Sequence, residues 1–268
     1  MKNWARAFVM VAYPVLLVVS TLDAFPQQQS RALAIKGLDQ IEQFLRTADV
    51  VRTDNLLPGN TGLQKVTLTQ GETVRHAVFR RAGFPPDLKD SWKLEIAAYE
   101  VNKLLGLNMV PPTVERTVRG TKGSLQLWIE NAMSEAERLE KNVGPPDVEA
   151  WSRQIWKVRV FDQLVCNIDR NPGNLLIDKN WKVYMIGHDR TFRATPDLMD
   201  PRNQTHLSVS MMEALKKLNK ADLTRSCSDY LSDPEIEAIL ARRDKILEVY
   251  KQVVEKKAHP LPTPEGGW

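Results

Sequence analysis

The feature that most constrains this chain is a single change of hydrophobic period near Pro145-Pro146. Upstream, Val50-Val51, Leu63 to Leu68 and Val74 to Phe79 are strand-like, separated by the turn sequences Leu57-Pro58-Gly59-Asn60-Thr61-Gly62 and Gln70-Gly71-Glu72. One helical stretch interrupts them: from Ser91 on, Leu94, Ala97, Ala98, Val101, Leu104 and Leu105 share a face, and Gly106 ends the run as a C-cap would. Strand-like Val110 to Val118 and Ser124 to Ile129 follow. Downstream the period is helical, with Trp151, Ile155, Val158, Phe161 and Val165 on one stripe. The exception is a short hairpin, Leu175 to Ile177 and Trp181 to Ile186, turning at Asp178-Lys179-Asn180. Ser232-Asp233-Pro234-Glu235 has the form of a capping box and opens a last helix along Ile236, Ile239, Leu240, Leu247, Tyr250 and Val254. This order predicts an α+β protein of two lobes, 32–145 and 146–258: a small antiparallel sheet with one helix, then a mainly helical lobe. A short amphipathic helix is also expected over Ala32 to Leu45.

The ends differ from the body. Lys2 and Arg6 precede an apolar stretch from Ala7 to Val19, and small residues near Ser20 and Ala24 offer cleavage sites. The stretch is shorter than the ~20 residues a spanning helix needs. A signal peptide over 1–24 is the expectation, and with it an exported protein in a periplasm, a secretory lumen or the medium. The alternative is an uncleaved anchor or a buried first helix, so membrane contact is expected only through this segment. The tail 259–268, with three Pro and two Gly, is expected to be disordered. Lys+Arg exceed Asp+Glu by only 4, and the basic residues are scattered, which argues against a nucleic-acid partner. Cys166 and Cys227 are too few for a disulfide scaffold; they either pair or stay as buried thiols.

The chemistry-bearing stretch is Asp169-Arg170-Asn171-Pro172-Gly173-Asn174, between a helix and the hairpin. Phosphoryl transfer from ATP needs a carboxylate to orient the acceptor hydroxyl and an amide oxygen to hold a metal against the phosphates. An Asp and an Asn on one short loop can supply both. The alternative is a solvated Asn/Gly/Pro turn. Competing chemistries are absent from the sequence: the four His lack metal-ligand spacing, and there is no nucleophile elbow, Walker loop or dinucleotide fingerprint. The seven Trp are spread along the chain and are read as core or cleft lining.

On these residues, 155–192 resembles the core of the atypical kinases: the phosphatidylinositol lipid kinases, the HipA-type toxin kinases and the secretory-pathway (Golgi casein kinase-like) family. Glu95-Ile96-Ala97-Ala98-Tyr99 through Leu104-Leu105-Gly106 to Val110-Pro111-Pro112-Thr113-Val114 is similar to the upper-lobe helix and next strand of the secretory group. The resemblance implies a two-lobed protein-kinase-like fold that uses ATP with Mg or Mn. It also implies transfer to a hydroxyl of a protein, sugar or lipid, with Asp169 as catalytic base and Asn174 as metal ligand. Glu95 would face the basic partner of the nucleotide, with Glu100 a weaker candidate, and Gly59 and Gly62 would form a loop over the phosphates. Two positions depart from the pattern. Arg80 stands where the family has Lys, and Gly187, in Ile186-Gly187-His188-Asp189, stands where it has a metal-binding Asp. Asp189 can take over only if the backbone is remodelled there; otherwise Asp189 and His188 pair with Arg190 or Arg193 at the surface. A catalytically impaired pseudokinase, acting as a binding or scaffold protein, is therefore the alternative function.

Overall fold

A computed structural model describes residues 37–56, 62–84, 91–200 and 206–258. The expected signal peptide, Gly59 and the tail 259–268 lie outside them. Helix α1, over 37–47, leads into strands β1 (Asp49–Asn55), β2 (Leu63–Gln70) and β3 (Thr73–Arg81). After α2 (Ser91–Leu105) come β4 (Thr113–Val118) and β5 (Thr121–Leu127). The five strands form one antiparallel sheet in the order β1-β2-β3-β5-β4, so β5 inserts between the meander and β4. The β4–β5 turn is tight: Arg119 and Gly120 both take positive φ, the twist a two-residue hairpin demands. β4 begins at Thr113, three residues later than expected from the sequence, because Pro111 and Pro112 have no N–H for a ladder.

β3 shows how the sheet feeds the site. Its residues alternate, with Ala77 and Phe79 buried against Leu45, Val66, Leu68 and Leu125, so Arg80 emerges on the opposite face. α2 does not share that core. Its Ala97, Ala98, Val101 and Leu105 belong to a second cluster with Phe161, Leu164, Val183, Met185, Leu223 and Ile239 of the helical region. A helix of the first half is thus packed into the second, and carries Glu95 with it. The Asn102 side chain fixes the exit from α2 by accepting from the N–H groups of Met109 and Val110.

A small second sheet, β6 (Met133–Ser134), β7 (Leu175–Ile177) and β8 (Val183–Met185), sits among the helices. These are α3 (Glu135–Glu140), α4 (Val148–Val165), α5 (Val209–Lys217), α6 (Lys220–Cys227) and α7 (Asp233–Ala258). The hairpin turn is held by Asp178, whose carboxylate accepts from the N–H groups of Asn180 and Lys182. At the start of α7, the Glu235 carboxylate accepts from the Ser232 N–H, half of the capping box read from sequence. The fold is α+β, with an antiparallel-sheet N-terminal region and a helical C-terminal region, as the change of period predicts. Among the described residues no helix is long and apolar enough to cross a membrane.

Candidate active site

The loop after α4 is shaped by its own residues. Cys166 ends the helix in the left-handed region, at φ 52°, and the Asn167 N–H returns to the Asp162 carbonyl. Asp162 lies in the last turn of α4, where the helix dipole disfavours a carboxylate, so a cation is needed there. Arg170 supplies it: Nε lies 2.9 Å from Asp162 Oδ2 and Nη2 lies 2.9 Å from Oδ1. Nη1 donates to the carbonyls of Asn174 and Ile186, both at 2.8 Å, and Nη2 approaches His188 Nε2 at 3.1 Å. Every guanidinium N–H is spent, which pins the Asp169–Asn174 loop to β8.

His188 is fully buried, not at the surface. With Nε2 accepting from Arg170, its proton belongs on Nδ1, which faces Glu95 Oε2 at 3.4 Å. That contact is long, and the firmer bond to Glu95 comes from the His188 backbone N–H, 2.9 Å from Oε1. The same Oε1 lies 3.2 Å from Arg80 Nη2. Burial by itself would raise the Glu95 carboxyl, but hydrogen bonding by His188 and the charge of Arg80 outweigh it and hold its pKa down to about 2. Glu95 is therefore an anion at any physiological pH. Glu100 sits apart, paired with Lys103.

Asp189 also joins Arg80, with Oδ2 3.3 Å from Nη1. The surface pairing with Arg190 or Arg193 is thus corrected for Asp189: it turns inward, and Arg190 instead lies 3.8 Å from Asp169. Gly187 makes the turn possible. Its φ of +68° is a conformation side chains rarely adopt, and a Cβ there would stand 2.7 Å from Asn174 Oδ1. The Asn174 carboxamide has closed onto the glycine, held by a 3.1 Å bond from Nδ2 to the Asp169 carbonyl. The Asp169 carboxylate is half-exposed. Gly62, also at positive φ, packs against Phe84, and its carbonyl accepts from the Arg81 N–H beside Arg80.

Of the residues expected from the sequence, Arg80, Glu95 and Asp189 are brought into direct contact, and Asp169 and Asn174 join through main chain and amide. Asp162 was missed, and its signal was the carboxylate at a helix C-terminus followed eight residues later by Arg170. A surface position was one reading of His188, whereas Met185 and Phe192 on either side of it are core residues of a segment entering the interior. Neither thiol competes as a nucleophile. Both Cys are free and buried, and burial, with the charge of Glu100, pushes Cys227 up to about 12.

No family model and no curated relative matches the chain. Among solved structures it is similar to the proinflammatory kinase CtkA of Helicobacter pylori, at a TM-score of 0.54 and 12% sequence identity. The likeness covers 79% of this chain and 98% of CtkA. At that identity what is shared is the fold, and the protein has the two-lobed, kinase-like fold.

Proposed function

We propose that this protein binds ATP and transfers its terminal phosphoryl group to a hydroxyl of a protein, sugar or lipid outside the cytoplasm. One observation carries the reading: Arg80, on the sheet, holds Glu95 and Asp189 together beside the loop that bears Asp169 and Asn174. The residues fit a metal-bound triphosphate. Arg80, Glu95 and Asp189 are one cation against two carboxylates, so a polyanion enters this place only together with a cation. Asn174 and Asp189 offer hard oxygen donors of the kind Mg²⁺ or Mn²⁺ takes, and they would hold the metal. When bound, it neutralises charge on the phosphoryl group in transfer. Arg80 keeps N–H groups beyond the two it spends, and these suit phosphate oxygens. Asp169, half-exposed, orients the acceptor hydroxyl as general base. Gly62 would lie over the phosphates. The sequence likeness to secretory-pathway, HipA-type and lipid kinases supports the same assignment.

The test is ATP turnover by the purified protein with Mg²⁺ or Mn²⁺. Asp169→Ala should abolish it, and undiminished turnover in that variant sinks the assignment. Gly187 favours a second reading, a pseudokinase that keeps the nucleotide pocket without transfer. Calorimetric titration of ATP with and without Mn²⁺ separates the two. Metal-dependent binding with turnover supports transfer, whereas metal-indifferent binding without turnover supports the pseudokinase.

A further inference from the structure

Away from Arg80 and Asp169, a cavity of about 670 Å³ opens between α4, the start of α5 and α7. That is the size of a drug-like ligand site, within roughly 300–1,000 Å³. One face of α4 forms a wall through Arg153, Gln154, Lys157 and Val160. Gln154 is fixed in place, since its amide bonds the Trp181 carbonyl at 2.8 Å and accepts from the Val183 N–H at 2.9 Å. Val160 and Met211 give an apolar floor, and Val253 adds to it from α7. Trp156 and His206 stack at 4.0 Å with their planes 6° apart, forming a flat aromatic wall.

The polar lining has one sign. Among the described residues the cavity has Arg153 and Lys157 but no Asp or Glu. Arg153 is paired with Glu149 on the outer side. Lys157 is half-buried as a residue and its ammonium has no ion pair or hydrogen bond among the described residues, and the Tyr250 hydroxyl beside the cavity has none either. An ammonium at the cavity wall without a partner is free to meet a ligand of opposite charge.

We infer that this cavity is a second ligand site, for a small aromatic anion with a carboxylate or phosphate head. The head meets Lys157 and Tyr250 through charge-assisted hydrogen bonds, and the ring lies against the Trp156–His206 wall and the Val160–Met211 floor. The site is independent of phosphoryl transfer.

Calorimetric titration of the whole protein with 1-naphthoate and with 1-naphthyl phosphate tests it, and the tighter of the two identifies the head group. At least one anion should bind in the micromolar range, and neutral 1-naphthol should bind at least tenfold more weakly. Lys157→Glu should weaken the anion at least tenfold, Tyr250→Phe should weaken it several-fold, and Arg80→Ala should leave it unchanged. The inference is overturned if neither anion binds below ~1 mM, if 1-naphthol binds as tightly, if Lys157→Glu and Tyr250→Phe both bind as the parent protein does, or if Arg80→Ala abolishes binding.

Discussion

Two arginines hold carboxylates in this protein, and they do so in opposite ways. Arg170 grips Asp162 with two nitrogens and saturates its other donors on two carbonyls and a histidine. Arg80 makes one bond to each of two carboxylates, at 3.2 and 3.3 Å, and keeps donors in reserve. The first is a structural clamp, whose every partner is lost if it moves. The second is a shared, exchangeable contact, suited to a place where a charged ligand arrives. The difference also bears on the two positions that set this site apart, 80 and 187. A guanidinium fork reaches two separate carboxylates, which a compact ammonium does less well, so Arg at position 80 suits the pair Glu95 and Asp189.

The largest effect should come from breaking the clamp. Arg170→Ala strands the Asp162 carboxylate, and the expected loss is about 3–5 kcal/mol in a urea titration. A loss below ~1 kcal/mol would erase the contrast. Acid tests the exchangeable side next. The Glu95 pKa is depressed from 4.5 to about 2, so its stabilisation is complete above 4.5 and is lost as pH falls through 2. Glu95→Gln should remove that acid limb, worth on the order of 3 kcal/mol, and an unchanged limb would place the titration elsewhere. Gly187→Ala should cost about 1–3 kcal/mol, from the positive φ and the displaced Asn174 amide, read as a lowered Tm. The smallest change is Arg80→Lys. It should cost less than ~1 kcal/mol in stability because the ammonium keeps a positive charge beside the buried Glu95, while loosening Asp189. A larger drop there would make Arg80 a second clamp.

Much of the fold was legible because periodicity reports burial directly. The three strands of the meander, α2 and the last helix all follow from alternation or from an i, i+3, i+4 stripe. The short elements were not. α3 has no buried residue, β6 has only two residues, and α5 and α6 owe their place to packing rather than to a long stripe. At the site, Asp169 and Asn174 were singled out by residue type and spacing and Glu95 by the resemblance alone, and the structure places them near one another. The direction of Asp189 was not legible, since it depends on the left-handed turn at Gly187, and periodicity cannot see one residue's φ. The surface reading of His188 fails for the same reason: a ring followed in sequence by Asp189 and Arg190 can still be drawn inward by Arg170 and Glu95.

The contact between Gly187 and the Asn174 amide has an implication for anyone redesigning this protein. A carboxylate grafted onto position 187 and the present rotamer of Asn174 claim the same space. Placing an acid at 187 is thus a two-position problem: the amide has to surrender its tether to the Asp169 carbonyl before any new acid can settle. Libraries that vary 174 and 187 jointly will reach solutions that no single exchange at either position can.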